Sequence, residues 1–181
     1  MDANTIEIME QNYNFPLETE IKCTYETYRE ASKTYKKSQK KYWAIIYILV
    51  ALLIVGGVFL LIAGSNSFIA TVSITLGVIY LPLVQFIYSL KLKKAFKTNI
   101  AMQDATIRYS FYEDELELTT PDASSKMKYE KMYSTLEDAN CILLLVSARQ
   151  YFIIKKENCS EELLEFLHVK MDEINARKNK R

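Results

Sequence analysis

Two long uncharged segments separated by a four-residue linker constrain this chain more than any other feature. They cover residues 42–63 and 68–90, on either side of the linker 64–67, and no Asp, Glu, Lys or Arg lies between 42 and 90. A bilayer core about 30 Å thick needs about 20 apolar residues of helix, and at 1.5 Å per residue each segment makes roughly 33 Å. Because a backbone in hydrocarbon must satisfy its own polar groups, we predict an antiparallel pair of transmembrane helices.

Lysines flank this hairpin on both sides, whereas the linker has none. The lysines are Lys33, Lys36, Lys37, Lys40 and Lys41 before it, and Lys91, Lys93, Lys94 and Lys97 after it. Positive residues near span ends stay on the cytoplasmic side of a membrane. We therefore predict that both termini are cytosolic. The three cysteines, Cys23, Cys141 and Cys159, are then all cytosolic and reduced.

Small residues in the two spans predict how the helices pack. Folding the hairpin about its linker brings Gly56 and Gly57 level with the region of Ser73 and Gly77. Small side chains let helix backbones approach closely, which favours association in lipid. Ser73 and Gly77 could face the hairpin partner or another chain, and the hairpin is favoured. Gln85, the one strongly polar side chain in the spans, is expected to hydrogen-bond across the pair.

The remaining sequence predicts short strands and two further helices. Residues 17–23 alternate in polarity as a half-exposed strand does, and the helix that follows places Tyr25, Tyr28 and Tyr35 on one face. Short strand patterns with turns between them continue from residue 105 to 155, which indicates an antiparallel sheet or small barrel. Ser160 caps a last helix. Its predicted apolar stripe consists of Leu163, Leu164, Leu167, Met171 and Ile174.

The order of these elements and several short motifs resemble the YcxB-like protein family. The motifs are Phe111-Tyr112-Glu113-Asp114, Ser124-Ser125-Lys126, residues 141–146 and 150–154, and Ser160-Glu161-Glu162-Leu163. The resemblance implies a bacterial inner-membrane protein with a pleckstrin-homology-like cytosolic domain, in which a C-terminal helix closes one end of a bent sheet. It also implies that the strand at 17–23 joins that sheet.

No residue pattern for catalysis, metal binding or cofactor binding stands out. The single histidine, His168, excludes histidine pairs, and all four glycines lie in the spans or their linker, so no phosphate-binding glycine loop is available outside them. Cys159 precedes a helix N-terminus, where a thiol pKa can fall, but a plain surface or half-buried cysteine is favoured. The acidic run of Glu113, Asp114, Glu115 and Glu117 is interpreted as a solvated turn. We therefore predict no catalytic, metal or cofactor residue and no cofactor.

The fold class we predict is membrane α+β. It comprises an N-terminal strand and juxtamembrane helix (1–41), a transmembrane hairpin (42–90, with spans 42–63 and 68–90) and a pleckstrin-homology-like sheet domain capped by a C-terminal helix (98–176). The partners predicted are the lipid bilayer and another protein, and a homo-oligomer stays open. Nucleic acid is excluded because the net charge is only +1. A phosphoinositide is not expected, because the turn at 113–115, which should carry lysine or arginine for that ligand, is acidic.

Three functional classes are compatible with these features. The first is a membrane-anchored protein-interaction or regulatory module without catalysis, with the sheet edge and the face of Tyr25, Tyr28 and Tyr35 as contact surfaces. The second is a subunit of an oligomeric transport or export complex, in which Ser73, Gly77 and Gln85 face a neighbouring chain. The third and least favoured is an enzyme, for which Glu115 and His168 are the only candidates.

Overall fold

A computed structural model describes residues 13–64, 67–98, 103–148 and 150–179. Residues 1–12 of the predicted N-terminal segment, Ser65 and Asn66 of the predicted linker, and residues 180–181 lie outside the described residues. The chain forms two compact units. A helical unit takes in Lys36 to Thr98, and a mixed unit takes in the described residues up to Tyr35 and from Gln103 onward.

The elements follow the order expected from the sequence. In chain order they are β1 (Leu17–Lys22), α1 (Tyr25–Ser38), α2 (Lys40–Ile62), α3 (Ser67–Thr98), β2 (Thr106–Phe111), β3 (Glu115–Thr119), β4 (Ser124–Lys128), β5 (Ser134–Glu137), β6 (Cys141–Leu145), β7 (Tyr151–Lys155) and α4 (Glu161–Asn179). Short 3-10 helices occupy Tyr129–Lys131 and Lys156–Asn158.

The helical unit is a hairpin of α2 and α3, both long and apolar enough to cross a membrane. Most of their large apolar side chains are exposed, which distinguishes them from core helices of a soluble domain. The two helices approach each other most closely at glycines, which have no side chain to separate them. A Cβ atom on Gly57 would lie 2.9 Å from the Ala70 carbonyl oxygen, and one on Gly77 would lie 2.6 Å from Cγ1 of Ile54. Gly77 therefore packs inside the hairpin, as favoured.

The mixed unit contains two antiparallel sheets. One has four strands in the order β1-β2-β3-β4, and the other has three in the order β5-β6-β7. The strand β1, which precedes the hairpin, pairs with β2, which follows it, in a register that places Leu17 opposite Phe111 and Lys22 opposite Thr106. This is the position that the family resemblance implies for it. All five residues of β6 are buried, as its continuous apolar run predicts.

Helix α4 packs its apolar face against this unit, with most contacts to β5. The buried residues are Leu163, Phe166, Leu167, Met171 and Ile174. The predicted inclusion of Leu164 is wrong: Leu164 is only half-buried, and Phe166 takes its place. The reason is helical spacing, since Phe166 lies three residues after Leu163 and on the same face, whereas Leu164 is rotated away by one residue.

Candidate functional site

The tyrosine face of α1 is largely used by the chain itself. The Tyr35 ring stacks on Tyr151 with centroids 5.8 Å apart, and its hydroxyl donates to the Ala148 carbonyl oxygen at 2.6 Å. Tyr25 and Tyr28 are half-buried. Tyr35 is therefore used for packing within the chain, which is the role that tyrosines at helical spacing more often have. A tyrosine on one face of a helix can pack within its own chain or contact a partner. Here strand β7 supplies Tyr151, on which the Tyr35 ring packs.

A buried hydroxyl next to Tyr35 fixes α1 to the turn between β5 and β6. The Thr34 hydroxyl donates to Asp138 at 2.6 Å and lies 3.3 Å from the Cys141 sulfur. Partial burial alone would raise the pKa of Asp138. Hydrogen bonds from Thr34 and from the amides of Asn140 and Cys141 outweigh burial and lower the pKa to about 2. Sequence reasoning missed this cluster because Thr34 and Asp138 are far apart in the chain.

The predicted solvated turn is only partly correct: Glu113 and Asp114 are exposed in the turn before β3, whereas Glu115 and Glu117 lie half-buried on β3 itself. Lys126 Nζ lies 3.3 Å from Glu115 and 3.6 Å from Glu117, and about half of its side chain is exposed. The Ser124 hydroxyl, together with Lys126, lowers the pKa of Glu117. These two carboxylates therefore take part in an ordinary cross-strand pairing of β3 with β4.

The other two candidate chemical groups are also held in ordinary contacts. The exposed His168 ring lies 3.0 Å from a Glu137 oxygen, which also binds Lys156. Cys159 is half-buried, and its sulfur lies 3.2 Å from the Lys155 carbonyl oxygen. Burial raises the pKa of the Cys159 thiol, against a smaller opposing effect of Thr19. The described residues contain no group of three metal-ligating side chains.

The sheet edges differ in how they are covered. At β1, Asn158 Nδ2 donates to the Glu20 carbonyl oxygen at 2.7 Å. At β5, the Thr135 amide donates to Asn175 of α4 at 3.1 Å. Strand β4 ends the four-stranded sheet, and four of its five residues are exposed. Of these three edges, β4 is thus the most open to another strand.

The backbone of Lys128 is directed outward at this edge. Antiparallel pairs alternate between hydrogen-bonded and non-hydrogen-bonded positions. The Tyr129 amide donates to the Asp114 carbonyl oxygen, so the preceding pair, Lys128 with Glu115, is a non-hydrogen-bonded one. The N–H group of Lys128 therefore faces away from β3.

A surface cleft of about 260 Å³ lies beside this edge. It is lined by Asp114, Lys128, Tyr129, Glu130, Lys170, Glu173 and Arg177. Acidic and basic groups are present in equal number, and several are paired: Lys170 lies 3.3 Å from Glu173, and Arg177 donates to the Tyr129 carbonyl oxygen. Such a balanced lining gives no preference for a charged ligand of either sign.

The polar side chain of the second span does not lie where the sequence predicts. Gln85 is exposed on α3 and has no hydrogen-bonding partner among the described residues. The expected hydrogen bond across the hairpin is therefore wrong. Gln85 does not reach α2 because of its position around the helix axis. Gly77 and Ala70 define the face of α3 that packs on α2, and Gln85 lies about a quarter of a turn away from that face. Ser73 is half-buried at the border of that face.

Comparison with known families confirms the resemblance over part of the chain. Residues 111–167 match the family model described as YcxB-like protein. The match begins at the last residue of β2 and ends within α4, so it includes β3 to β7. No curated protein and no solved structure gives a significant match.

Proposed function

We propose that this chain is a membrane-anchored module whose small cytosolic domain binds another protein and performs no catalysis. The observation that carries the proposal is the pairing of β1 with β2 across the hairpin. A bilayer cannot lie between two hydrogen-bonded strands, because their backbone groups satisfy each other directly. Both ends of the hairpin then lie on one side of the membrane, together with the folded unit.

The cytoplasmic face of a bacterial inner membrane is the side we propose. Nine lysines flank the spans, and the chain has no acidic residue between 31 and 103, which fits the cytoplasmic preference of positive residues. Lys36 Nζ lies 3.9 Å from the Trp43 ring centroid and 5.4 Å from that of Tyr88. Amphipathic rings of this kind are typical of the headgroup level of a membrane.

A pleckstrin-homology-like fold is the finer assignment that we propose for the cytosolic unit. The four-stranded sheet, the three-stranded sheet and the C-terminal helix occur in the chain order expected for it. The acidic side chains at the turn between β2 and β3 argue against an anionic phosphoinositide as the ligand, because like charges repel. We therefore favour a protein as the ligand. The surface that we propose for it is the β4 edge of the four-stranded sheet.

An extended segment of a protein partner can add to an exposed sheet edge through main-chain hydrogen bonds. The outward N–H of Lys128 is one donor available for this at β4. Lys128 has a φ of −75°, close to the value that proline imposes. Lys128→Pro should therefore remove one outward donor without disturbing the pairing of β4 with β3.

The test is recovery of partners from membranes in mild detergent by the full-length chain, followed by mass spectrometry. We expect a protein that is enriched with the unmodified chain and with Lys128→Ala, and lost with Lys128→Pro. The alanine variant is the matched control, because it removes the charge and keeps the N–H. Failure to enrich any protein would overturn the proposed function, and equal recovery by all three chains would overturn the β4 edge as its surface.

A further inference from the structure

The ends of α2 and α3 that lie away from the linker hold a lysine between two aromatic rings. Lys36 Nζ lies 3.9 Å from the ring centroid of Trp43 on α2 and 5.4 Å from that of Tyr88 on α3. An ammonium group within about 6 Å of a ring centroid is attracted by the face of the ring. The two rings therefore hold Lys36 against the hairpin, and all three side chains are half-buried.

Two further lysines, Lys40 and Lys91, lie on the helix faces that carry these rings. Lys40 is three residues before Trp43, and Lys91 is three residues after Tyr88. Residues three apart are neighbours on the surface of a helix. Both lysines are exposed, and they lie equally far along their helices from the linker 64–67. The three lysines and the two rings thus form one lysine–aromatic cluster.

The lysine–aromatic cluster has no carboxylate in its own unit. The helical unit contains lysines on both sides of the spans and no Asp or Glu. Lysines on neighbouring positions of a helix surface repel each other. The rings satisfy Lys36 only in part, because an ammonium group has three N–H donors. An anion from outside the unit would relieve the repulsion and accept hydrogen bonds from these donors.

A phospholipid headgroup is the anion that the position of the cluster favours. Trp and Tyr rings lie at the headgroup level of a membrane, so the three ammonium groups lie beside lipid phosphates if α2 and α3 span a bilayer. Basic residues between spans on the cytoplasmic side are suited to anionic headgroups. A zwitterionic headgroup carries a cation of its own, which the lysines repel. The lipid that fits the cluster therefore has a net negative charge.

We propose that the lysine–aromatic cluster is a binding site for the headgroup of an anionic phospholipid, with Lys36 donating to its phosphate. The inference rests on the proposed function only in that α2 and α3 span a bilayer. The site is separate from the acidic turn at 113–115, and a single phosphate with a net negative charge is sufficient for it, so it does not require a phosphoinositide.

Fluorescence of Trp43, the only tryptophan in the chain, tests which lipids lie next to the cluster. The full-length chain is reconstituted in mixed vesicles of phosphatidylcholine and phosphatidylglycerol, with the quencher bromine on the acyl chains of one lipid or of the other. The two quenching curves give the binding constant of the anionic lipid relative to the zwitterionic lipid. We expect phosphatidylglycerol to be preferred by about fivefold or more, the attraction that one lysine near an anionic headgroup supplies. Equal binding constants would overturn the inference.

Single substitutions distinguish a site from the diffuse attraction of many lysines. Lys36→Gln should lower the preference for phosphatidylglycerol about fivefold, whereas Lys36→Arg, which keeps the charge, should retain it. Lys93→Gln is the matched control, because it removes the same charge from the same end of α3. Lys93 is five residues after Tyr88 and so lies on the opposite side of the helix, where its charge is largely screened from lipids beside Trp43. An equal loss for Lys93→Gln, or no loss for Lys36→Gln, would overturn the cluster as the site.

The same vesicles separate failure of this inference from failure of the proposed function. Quenching of Trp43 that is equally strong with either brominated lipid leaves the anchor in place and overturns only the inference. Absence of quenching with both lipids means that Trp43 does not lie in the bilayer, which overturns the anchor and the proposed lipid site with it.

Discussion

Asp138 is the carboxylate whose ionisation should matter most for the stability of the mixed unit. Its pKa, about 2, lies below the ordinary value of 3.8. A group whose pKa falls on folding stabilises the folded state above its unfolded pKa, and this contribution is lost as the pH falls through the folded pKa. The stabilisation by Asp138 is therefore present above about pH 4 and disappears toward about pH 2.

We expect Asp138→Asn to lower the thermal stability of the full-length chain in detergent at neutral pH. The melting temperature, followed by circular dichroism, should differ between the unmodified chain and the variant by an amount that shrinks from about pH 4 to about pH 2. Asp122→Asn, in the exposed turn between β3 and β4, is the control and should show no difference at either pH. A difference for Asp138→Asn that persists at the lower pH would contradict this account.

At the scale of elements, the two adjacent glycines of α2 have opposite surroundings. A Cβ on Gly57 would meet the Ala70 backbone oxygen and Ile74, whereas one on Gly56 would have nothing within 4 Å. Gly57→Ala should destabilise the hairpin by about 1–3 kcal/mol, because backbone atoms must move apart. Gly56→Ala should be neutral or slightly stabilising, because alanine is the better helix former. Thermal unfolding of both variants in one detergent measures the difference, and an equal loss would show that α2 and α3 do not approach closely at Gly57.

The same helices show which features a sequence can predict and which it cannot. Length and the absence of charge predict α2 and α3, because within a single segment a helix is the structure that satisfies its own backbone in lipid. The rotation of α3 about its axis depends on which glycines the partner helix meets, so the outward direction of Gln85 could not be deduced. Likewise, the alternating pattern before the hairpin predicts β1, but the use of Tyr35 depends on Tyr151, a residue distant in sequence.

At the scale of the whole molecule, the net charge is close to zero although basic and acidic residues are unevenly distributed along the chain. The chain has 23 basic and 22 acidic residues, yet the segment containing the hairpin has lysines and no acidic residue from 31 to 103. The remaining sequence is therefore net acidic. An acidic domain beside an anionic lipid surface is repelled, while the flanking lysines are attracted. In the orientation that we propose, this charge distribution favours exposure of the domain, including β4, to cytosolic proteins.

The orientation of the hairpin is a direct prediction of this charge distribution and of the β1–β2 pairing. Single cysteines placed by Ser65→Cys in the linker and by Ser124→Cys at the start of β4 should react oppositely with a membrane-impermeant maleimide. In intact cells we expect labelling at residue 65 only, and after permeabilisation at both positions. We expect the linker to be outside because the lysines favour the cytoplasmic side for the other ends of the spans. Labelling of residue 124 in intact cells would reverse the orientation. Labelling of both positions in intact cells would mean that the segments do not form a two-span hairpin, because one bilayer then fails to separate the linker from the domain.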